Sequence, residues 1–242
     1  MHNAQQSLSK GLSLFGKRLF SLLVVLTPAC VWADDLHINP HADLLYRQAV
    51  SLIEQADTQN IGFSLKTGTT NQDLAQQSQS MGRTLAPAVS LLKKAVELDH
   101  PVARYRLALY YINYLPASQI PAAACPLLQT SLEQGFAPAA LGVDTWCPEY
   151  RQSRAFAKDL EDIPVTANRY TSYFPQPAVR LQCKREQPKG LAMQWGRLRD
   201  YQAEIYRLQG EDNPGQRQYF WKKAVELNGC YSVSPRLLSS QH

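Results

Sequence analysis

A six-residue segment occurs twice in this chain, and a divergent third copy follows the first one. The sequence Lys-Lys-Ala-Val-Glu-Leu stands at 93–98 and again at 222–227. The third copy lies 36 residues after the first. It aligns Leu91, Leu92, Ala95, Glu97, Ala103 and Leu107 with Leu127, Leu128, Ser131, Glu133, Ala139 and Val143. Small residues at recurring positions let two helices approach closely, and Leu at helical spacing fills the seam between them. Repetition at this period predicts stacked helix pairs.

Two stretches of this region resemble a known repeat family. Residues 95–108 read Ala-Val-Glu-Leu-Asp-His-Pro-Val-Ala-Arg-Tyr-Arg-Leu-Ala, and residues 131–142 have Gly135 at the interhelical turn. Both look like Sel-one-like repeats, which are relatives of the tetratricopeptide repeat. The resemblance is clearest over 86–147 and extends in part over 219–230. It implies a fold of stacked helix pairs and does not identify a ligand.

The chain departs from the family pattern at three places. Asp99 replaces the turn glycine, and Asp144 replaces a small residue. Residues 116–121 stand where the family usually has a glycine-rich loop and an Asp.

The flanking segments complete the predicted architecture. Apolar residues at helical spacing predict helices over 42–56 and 190–208, and a further helix over 216–227 follows a turn. The terminal pair at 190–229 should be antiparallel and close the array. We expect a loop over 62–81, with one short helix near Leu74 at most. The fold class is therefore all-α, a short α-solenoid of antiparallel helix pairs.

A proline-rich segment interrupts the predicted helices at 162–188. It contains four prolines, two tyrosines, a phenylalanine and Cys183. A loop of this length is uncommon in a compact domain unless it is functional or held in place. We expect an ordered but irregular connection that a disulfide holds against the rest of the domain.

The first 33 residues have the pattern of a secretory signal peptide. Three basic residues and no acidic residue precede an apolar run at 19–31. Val31 and Ala33 then supply the aliphatic and small residues that signal peptidase reads. The apolar run is too short for a typical membrane span. We expect cleavage after Ala33, which leaves a helical repeat domain at 34–242.

Two alternatives stay open for this leader. An uncleaved leader would anchor the chain in a membrane. The sequence Thr27, Pro28, Ala29, Cys30 also resembles a lipoprotein cleavage box in part, although such boxes usually have Leu in the place of Thr27. Ordinary cleavage is favoured, so the protein is expected to be exported to the periplasm, with no later stretch apolar enough to span a bilayer.

Removing the leader brings the chain close to neutrality. The whole chain has 25 basic against 20 acidic residues, and three of the basic residues lie in the leader. The remaining 22 basic and 20 acidic residues include no long basic run. Nucleic-acid binding needs a concentrated positive surface, so a nucleic-acid partner is not expected.

Four cysteines remain in 34–242, and an even number in an exported chain favours two disulfides. The turn of the second repeat is eleven residues from both Cys125 and Cys147, so an antiparallel hairpin brings them level. We expect Cys125 to cap a helix that starts at Pro126. The pairing of Cys183 with Cys230 follows by elimination and would pin the irregular segment to the final helix pair.

The repeat region contains a group of aromatic residues that could form a binding face: Tyr105, Tyr110, Tyr111, Tyr114 and Trp146. Aromatic side chains are common anchors at interfaces and equally common in helical cores, so some of the group must point inward. Tyr114 lies beside the proline-rich turn and is the member most expected to be exposed. Tyr110 and Trp146 are the other candidates for contact with a partner.

Chemistry-bearing residues form no recognisable catalytic motif. No nucleophile elbow, zinc-binding helix, phosphate loop or dinucleotide fingerprint occurs. His37 and His41 are four residues apart, but Pro40 intervenes near the expected new terminus, so a solvated terminus is favoured over a metal site. His100 falls at an interhelical turn, and the carboxylates at 159–162 suit a solvated helix end. We expect no catalysis, metal or cofactor.

The sequence therefore predicts a periplasmic scaffold or adaptor that binds a protein in the cell envelope. Stacked helix pairs expose an extended surface, which is how such folds usually bind their partners. Two other functions stay open. One is an enzyme or binder that acts on cell-wall or β-lactam-like compounds, which some relatives in the family suggest. The other is an accessory subunit of an envelope machine such as a flagellar motor.

Overall fold

Helices account for most of the chain in the computed structural model, which describes residues 37–61, 70–186 and 193–235. The helices in these ranges are α1 (Pro40–Ile61), α2 (Asn71–Glu97), α3 (Pro101–Tyr114), α4 (Ile120–Glu133), α5 (Pro138–Trp146), α6 (Pro148–Arg151), α7 (Arg154–Thr166), α8 (Leu198–Asp212) and α9 (Arg217–Asn228). The strands are β1 (Gln176–Ala178) and β2 (Gln194–Gly196). The predicted signal peptide, with Cys30 and Ala33, lies outside the described residues, so its cleavage stays a prediction.

Helices that follow one another along the chain pack side by side. The most extensive contacts join α1 to α2, α8 to α9, α3 to α4 and α4 to α5. Between α8 and α9, the Asn228 side-chain amide donates to the Asp200 carboxylate over 3.4 Å. Because Asp200 lies at the start of α8 and Asn228 at the end of α9, these two helices are antiparallel, as predicted. The stacking of all pairs into a solenoid stays a prediction.

The first two repeat copies end their leading helices with the same turn. Asp99 after α2 has φ of 66° and Gly135 after α4 has φ of 83°. The amide of the next residue bonds back across the turn in both copies, from His100 to Ala95 and from Phe136 to Ser131. This pattern is the Schellman motif, which usually has glycine at the left-handed position. Asp99 therefore stands where glycine is usual and keeps the turn.

The seam between the two copies is buried as the alignment predicts. The aligned inward residues are Leu92, Ala95, Ala103 and Leu107 in the first copy and Leu128, Ser131, Ala139 and Val143 in the second. The Ser131 hydroxyl donates to the Pro101 carbonyl over 2.9 Å, so the one polar residue of the seam is satisfied. At Gly142 an added Cβ would lie 2.7 Å from a Leu128 methyl carbon. Glycine there permits the close approach of α4 and α5.

The predicted loop over 62–81 is wrong from residue 71 onward. Helix α2 begins at Asn71 and continues through the first repeat. Thr70 starts it with a capping box, in which its hydroxyl accepts from the Asp73 amide and the Asp73 carboxylate accepts from the Thr70 amide. The polar Gln-rich stretch lacks an apolar face, but Gln and Ala favour helix once a cap is present. Residues 62–69 lie outside the described ranges.

The predicted helix over 190–208 begins later than expected. Residues 194–196 form β2, which pairs antiparallel with β1 and places Trp195 opposite Pro177. Helix α8 starts only at Leu198. Glycine is needed at 196, because a Cβ there would lie 2.6 Å from the Tyr201 ring. The fold is therefore mostly helical with a small sheet, and the expectation of an all-α chain is corrected to this extent.

The proline-rich segment is ordered and irregular, although α7 takes up its first residues. After α7 the chain forms a 3₁₀ turn at Ala167–Tyr173 and then β1. Tyrosine hydroxyls from the surrounding helices hold its backbone. Tyr105 donates to the Pro177 carbonyl over 2.6 Å, and Tyr201 donates to the Gln176 carbonyl over 3.1 Å. The segment thus packs as part of the core.

Two disulfides cross-link the fold, with the pairing that the sequence analysis gives. Cys125 bonds to Cys147 with a Cα–Cα distance of 5.6 Å. Cys183 bonds to Cys230 with a Cα–Cα distance of 4.1 Å. One detail was wrong: α4 begins at Ile120, so Cys125 lies inside this helix and does not cap it. The first bridge closes the α4–α5 hairpin, and the second ties the irregular segment to the end of α9.

Candidate binding face on helix α3

Helix α3 carries a polar and aromatic stripe that runs from the buried Arg106 to the exposed Tyr114. Arg106, Tyr110 and Tyr114 follow one another at intervals of four residues, so they share one face of the helix. The remaining faces bury residues against neighbouring helices, among them Val102, Ala103, Leu107, Ala108 and Ile112. These contacts fix the rotation of α3 about its own axis. We define the α3 face as this stripe together with Asp57 of α1 and Trp195 of β2.

The tyrosines of the stripe form a contiguous aromatic surface. The ring centroids of Tyr110 and Tyr114 are 4.9 Å apart, and those of Tyr110 and Tyr111 are 5.8 Å apart. Tyr114 is 48% exposed and Tyr110 is half-buried. Tyr105, considered with them in the sequence, is buried and packs edge-on against Phe136. The structure thus brings together Tyr110 and Tyr114, two of the three residues singled out for partner contact.

Trp146, the third candidate, lies elsewhere. It is the last residue of α5, is half-buried, and packs against the main hydrophobic core. Among the described aromatic contacts, none joins its ring to Tyr110 or Tyr114. Its position next to Cys147 gives it a role in packing the bridged hairpin.

Sequence reasoning missed the two residues that extend the stripe toward the sheet. The Arg106 guanidinium carbon lies 5.4 Å from the centroid of the Trp195 ring, a cation–π geometry. Arg106 is only 7% exposed, whereas Trp195 on the outward side of β2 is 43% exposed. The signal for Arg106 is its spacing from Tyr110. Trp195 gives no such signal, because the apolar pattern predicts a helix over 190–208 and the residue lies in a strand.

Asp57 at the other side of the α3 face has an altered acidity. Partial burial raises its pKa, and the positive charge of Arg106 opposes that rise. Partial burial, followed by the negative charge of Asp57, also raises the pKa of Tyr114. The α3 face therefore carries one acidic and one basic group beside exposed aromatic rings.

A second polar cluster surrounds His100 in the interior. The Nδ1 atom of His100 accepts from the Ala103 amide over 3.2 Å and so caps α3. Its Nε2 atom lies 3.5 Å from the Asp43 carboxylate, which also accepts from Tyr173. Burial lowers the pKa of His100 to about 4, although the Asp43 charge works in the other direction. An acid–imidazole pair of this kind can move protons only where substrate reaches it, and His100 is fully buried.

A buried ion network joins α5, α6 and α8. Arg207 is 2% exposed and pairs with Glu204 and Glu211 at 2.8 Å each. Arg151 makes a bidentate pair with Asp212 and a further pair with Asp144. Burial raises the pKa of Glu204, but its carboxylate is occupied by Arg207 and by the Cys183 amide. This network links the three helices, and its charges are already paired.

The residues weighed for metal or acid–base chemistry do not converge. His37 and His41 are both exposed near the start of the described chain. Asp159 accepts a hydrogen bond from the Tyr150 hydroxyl, and its neighbour Glu161 is exposed. Within the described ranges, no group of three or more acidic, His or Cys side chains is arranged to hold a metal ion. In the same ranges, every helix is too short or too polar to cross a membrane.

Comparisons with protein-family models, with curated proteins and with solved structures give no match for this chain. The resemblance to Sel-one-like repeats rests on the residues named above and stays a prediction.

Proposed function

We propose that the chain is an exported helical-repeat protein that binds a protein partner in the cell envelope through the α3 face. The observation that carries the proposal is the stripe of Arg106, Tyr110 and Tyr114, which continues onto Trp195. Arginine, tyrosine and tryptophan are the residue types that dominate binding energy at protein interfaces. Two disulfides are typical of a chain that folds outside the cytoplasm, and the periplasm is the compartment we propose.

A scaffold accounts for the polar residues better than an enzyme does. An enzyme needs polar groups that converge on a cleft with access for substrate. In the two polar clusters of the described chain, His100 and the Arg207–Glu204 pair are buried, and the Arg207 charge is already paired. The α3 face is open and carries no nucleophile beside a base. We therefore propose that this protein binds and does not catalyse, and that its helix pairs stack as a short solenoid.

Two narrower functions belong with this proposal. The aromatic rings beside charged groups would also suit a small cell-wall or β-lactam-like ligand, and an assay for hydrolysis of such compounds tests that alternative directly. An accessory subunit of an envelope machine is a special case of the scaffold, in which the partner is a component of the machine.

Site-specific photo-cross-linking in living cells tests the proposed face. A benzophenone amino acid at position 114 should give a discrete adduct with an envelope protein. The matched control is position 219, a tyrosine of α9 that is 59% exposed and does not belong to the α3 face. An adduct from 114 and none of the same mass from 219 is the expected result. Equal labelling from both positions, or adducts from 219 alone, would reject the α3 face as the binding surface.

A further inference from the structure

Two arginines are almost fully buried in the described chain, and only one of them has its counter-charge. Arg207 is enclosed by the Glu204 and Glu211 carboxylates at 2.8 Å. Arg106 has no carboxylate within ion-pairing distance among the described residues, and its Nε atom has no hydrogen-bond partner there. Arginine stays protonated in proteins, so Arg106 is a permanent positive charge in a largely desolvated place.

No ion pair to a described residue neutralises this charge. Asp57 is close enough for Arg106 to oppose the rise in its pKa, but the two do not form an ion pair. In the sequence, the stretches that follow Asp57 and precede Trp195, at 58–69 and 187–192, contain neither Asp nor Glu. A buried charge is costly unless it is paired and hydrogen-bonded. The arrangement therefore favours an external anion at Arg106.

The surroundings of Arg106 define the shape of that anion. The Arg106 guanidinium lies beside the Trp195 ring, and Nε is the one guanidinium nitrogen of Arg106 that is both buried and unpartnered. A carboxylate from outside would therefore reach the edge formed by the two terminal N–H groups. A carboxylate fits such an edge with two parallel hydrogen bonds. Tyr110 and Tyr114 follow along α3 at a rise of about 6 Å each, since a helix advances about 1.5 Å per residue. Apolar groups that extend from the carboxylate would lie on these rings.

We infer that the α3 face recognises a peptide segment of the partner through a carboxylate, which the Arg106 guanidinium receives beside the Trp195 indole, with apolar side chains on Tyr110 and Tyr114. The carboxylate belongs to an acidic side chain or to the end of the partner chain. The inference rests on the proposed binding role of the α3 face and adds the chemistry of the group that binds there.

Nuclear magnetic resonance titration with a minimal probe tests the inference on the whole mature protein. The probe is phenylacetate, and its control is phenylacetamide, which has the same shape and no charge. We expect phenylacetate to shift the Trp195 indole N–H signal and the Arg106 Nε–H signal in a saturable way, with the amide at least tenfold weaker. The indole signals of Trp146 and Trp221 should stay in place. Equal shifts with both compounds, or no saturable shift with phenylacetate, would overturn the inference.

Variants on α3 separate recognition from folding. Arg106→Gln should remove the response to phenylacetate. Arg104→Gln, on the same helix but already paired with Asp99, should leave the response within twofold of wild type. If Arg106→Gln fails to fold, Asp57→Asn decides the test instead. This variant removes a negative charge that competes with the phenylacetate carboxylate for Arg106, so it should bind phenylacetate several-fold more strongly. Unchanged binding in Arg106→Gln, or weaker binding in Asp57→Asn, would contradict the inference.

Two further outcomes show where the carboxylate comes from, and whether a negative result rejects the carboxylate alone or the whole α3 face. If the wild-type chain does not respond to phenylacetate and a variant with Asp34 and Asp35 replaced by Asn does, the start of the chain itself fills the site, and recognition of a partner carboxylate is overturned. Cross-linking from position 114 that persists without any response to phenylacetate would overturn the carboxylate and keep the proposed function. Loss of both would reject the α3 face.

Discussion

At the scale of one residue, the burial of His100 makes the stability of the fold depend on pH. Its ring stacks on Tyr46 with centroids 4.8 Å apart and meets the Tyr173 ring edge-on. The charged groups that face it are the Asp43 carboxylate and the Arg47 guanidinium. Burial holds the pKa of His100 at about 4, below its ordinary value of 6.5. Between these two values, an unfolded chain binds a proton on His100 that the folded chain does not bind.

We predict that the free energy of unfolding falls as the pH is lowered from 6.5 toward 4, because protons then favour the unfolded chain. Replacing His100 with Asn keeps a side-chain acceptor for the Ala103 amide and removes the titrating group. Over that interval the variant should lose less stability than wild type, by up to about 3 kcal/mol for a shift of this size. Urea unfolding at several pH values, with the disulfides intact, measures both slopes. Parallel slopes would refute this role of His100.

The elements of this fold were predictable where a periodic pattern or a cap marks them. Helix α1 and the α8–α9 pair follow from apolar residues at helical spacing. The Thr70–Asp73 capping box also stands in the sequence, but the apolar pattern alone pointed to a loop there. Strand β2 carries no such signal, since a three-residue strand has no period and its partner β1 lies 16 or more residues earlier. Only tertiary pairing makes it a strand.

Alanine substitutions at two glycines, one in a turn and one within a helix, should change stability in opposite directions. Gly135 lies at a left-handed turn with φ of 83°, so Gly135→Ala should destabilise the protein by about 1–2 kcal/mol. Gly82 lies exposed within α2 with open space around it. Gly82→Ala should therefore stabilise the protein by about 0.5–1 kcal/mol. Thermal unfolding of the two variants beside wild type gives both values. A stabilising Gly135→Ala would contradict the turn, and a destabilising Gly82→Ala would contradict the helix.

At the scale of the whole molecule, the disulfides join parts that are distant in sequence. The Cys125–Cys147 bridge spans 22 residues and the Cys183–Cys230 bridge spans 47. The pairing was predictable because hairpin geometry decides the first bridge and leaves one choice for the second. The α3 face was predictable only in part. Tyr110 and Tyr114 share a helix, whereas the contact between Arg106 and Trp195 depends on how β2 is placed by the sheet.

Removal of either bridge should lower stability without changing the fold. We predict that replacing Cys125 and Cys147 together by Ala costs on the order of 3 kcal/mol, since the unfolded chain gains freedom. The Cys183 and Cys230 double variant should lose somewhat more, because it opens a longer loop. Chemical unfolding, with far-ultraviolet circular dichroism as the check on helix content, measures both. Stability equal to wild type in either double variant would refute the contribution of that bridge.

The affinity for the partner that is cross-linked from position 114 tests the central claim most directly. Tyr110 and Tyr114 are replaced together by Ala, and Tyr219→Ala serves as the control that removes an exposed tyrosine outside the α3 face. The account predicts that the double variant binds the partner at least about 30-fold more weakly than wild type, the loss expected when interface anchors worth about 2 kcal/mol are removed. The Tyr219→Ala variant should bind as wild type does. Equal affinity of all three proteins, each shown to be folded, would contradict a binding role for the α3 face.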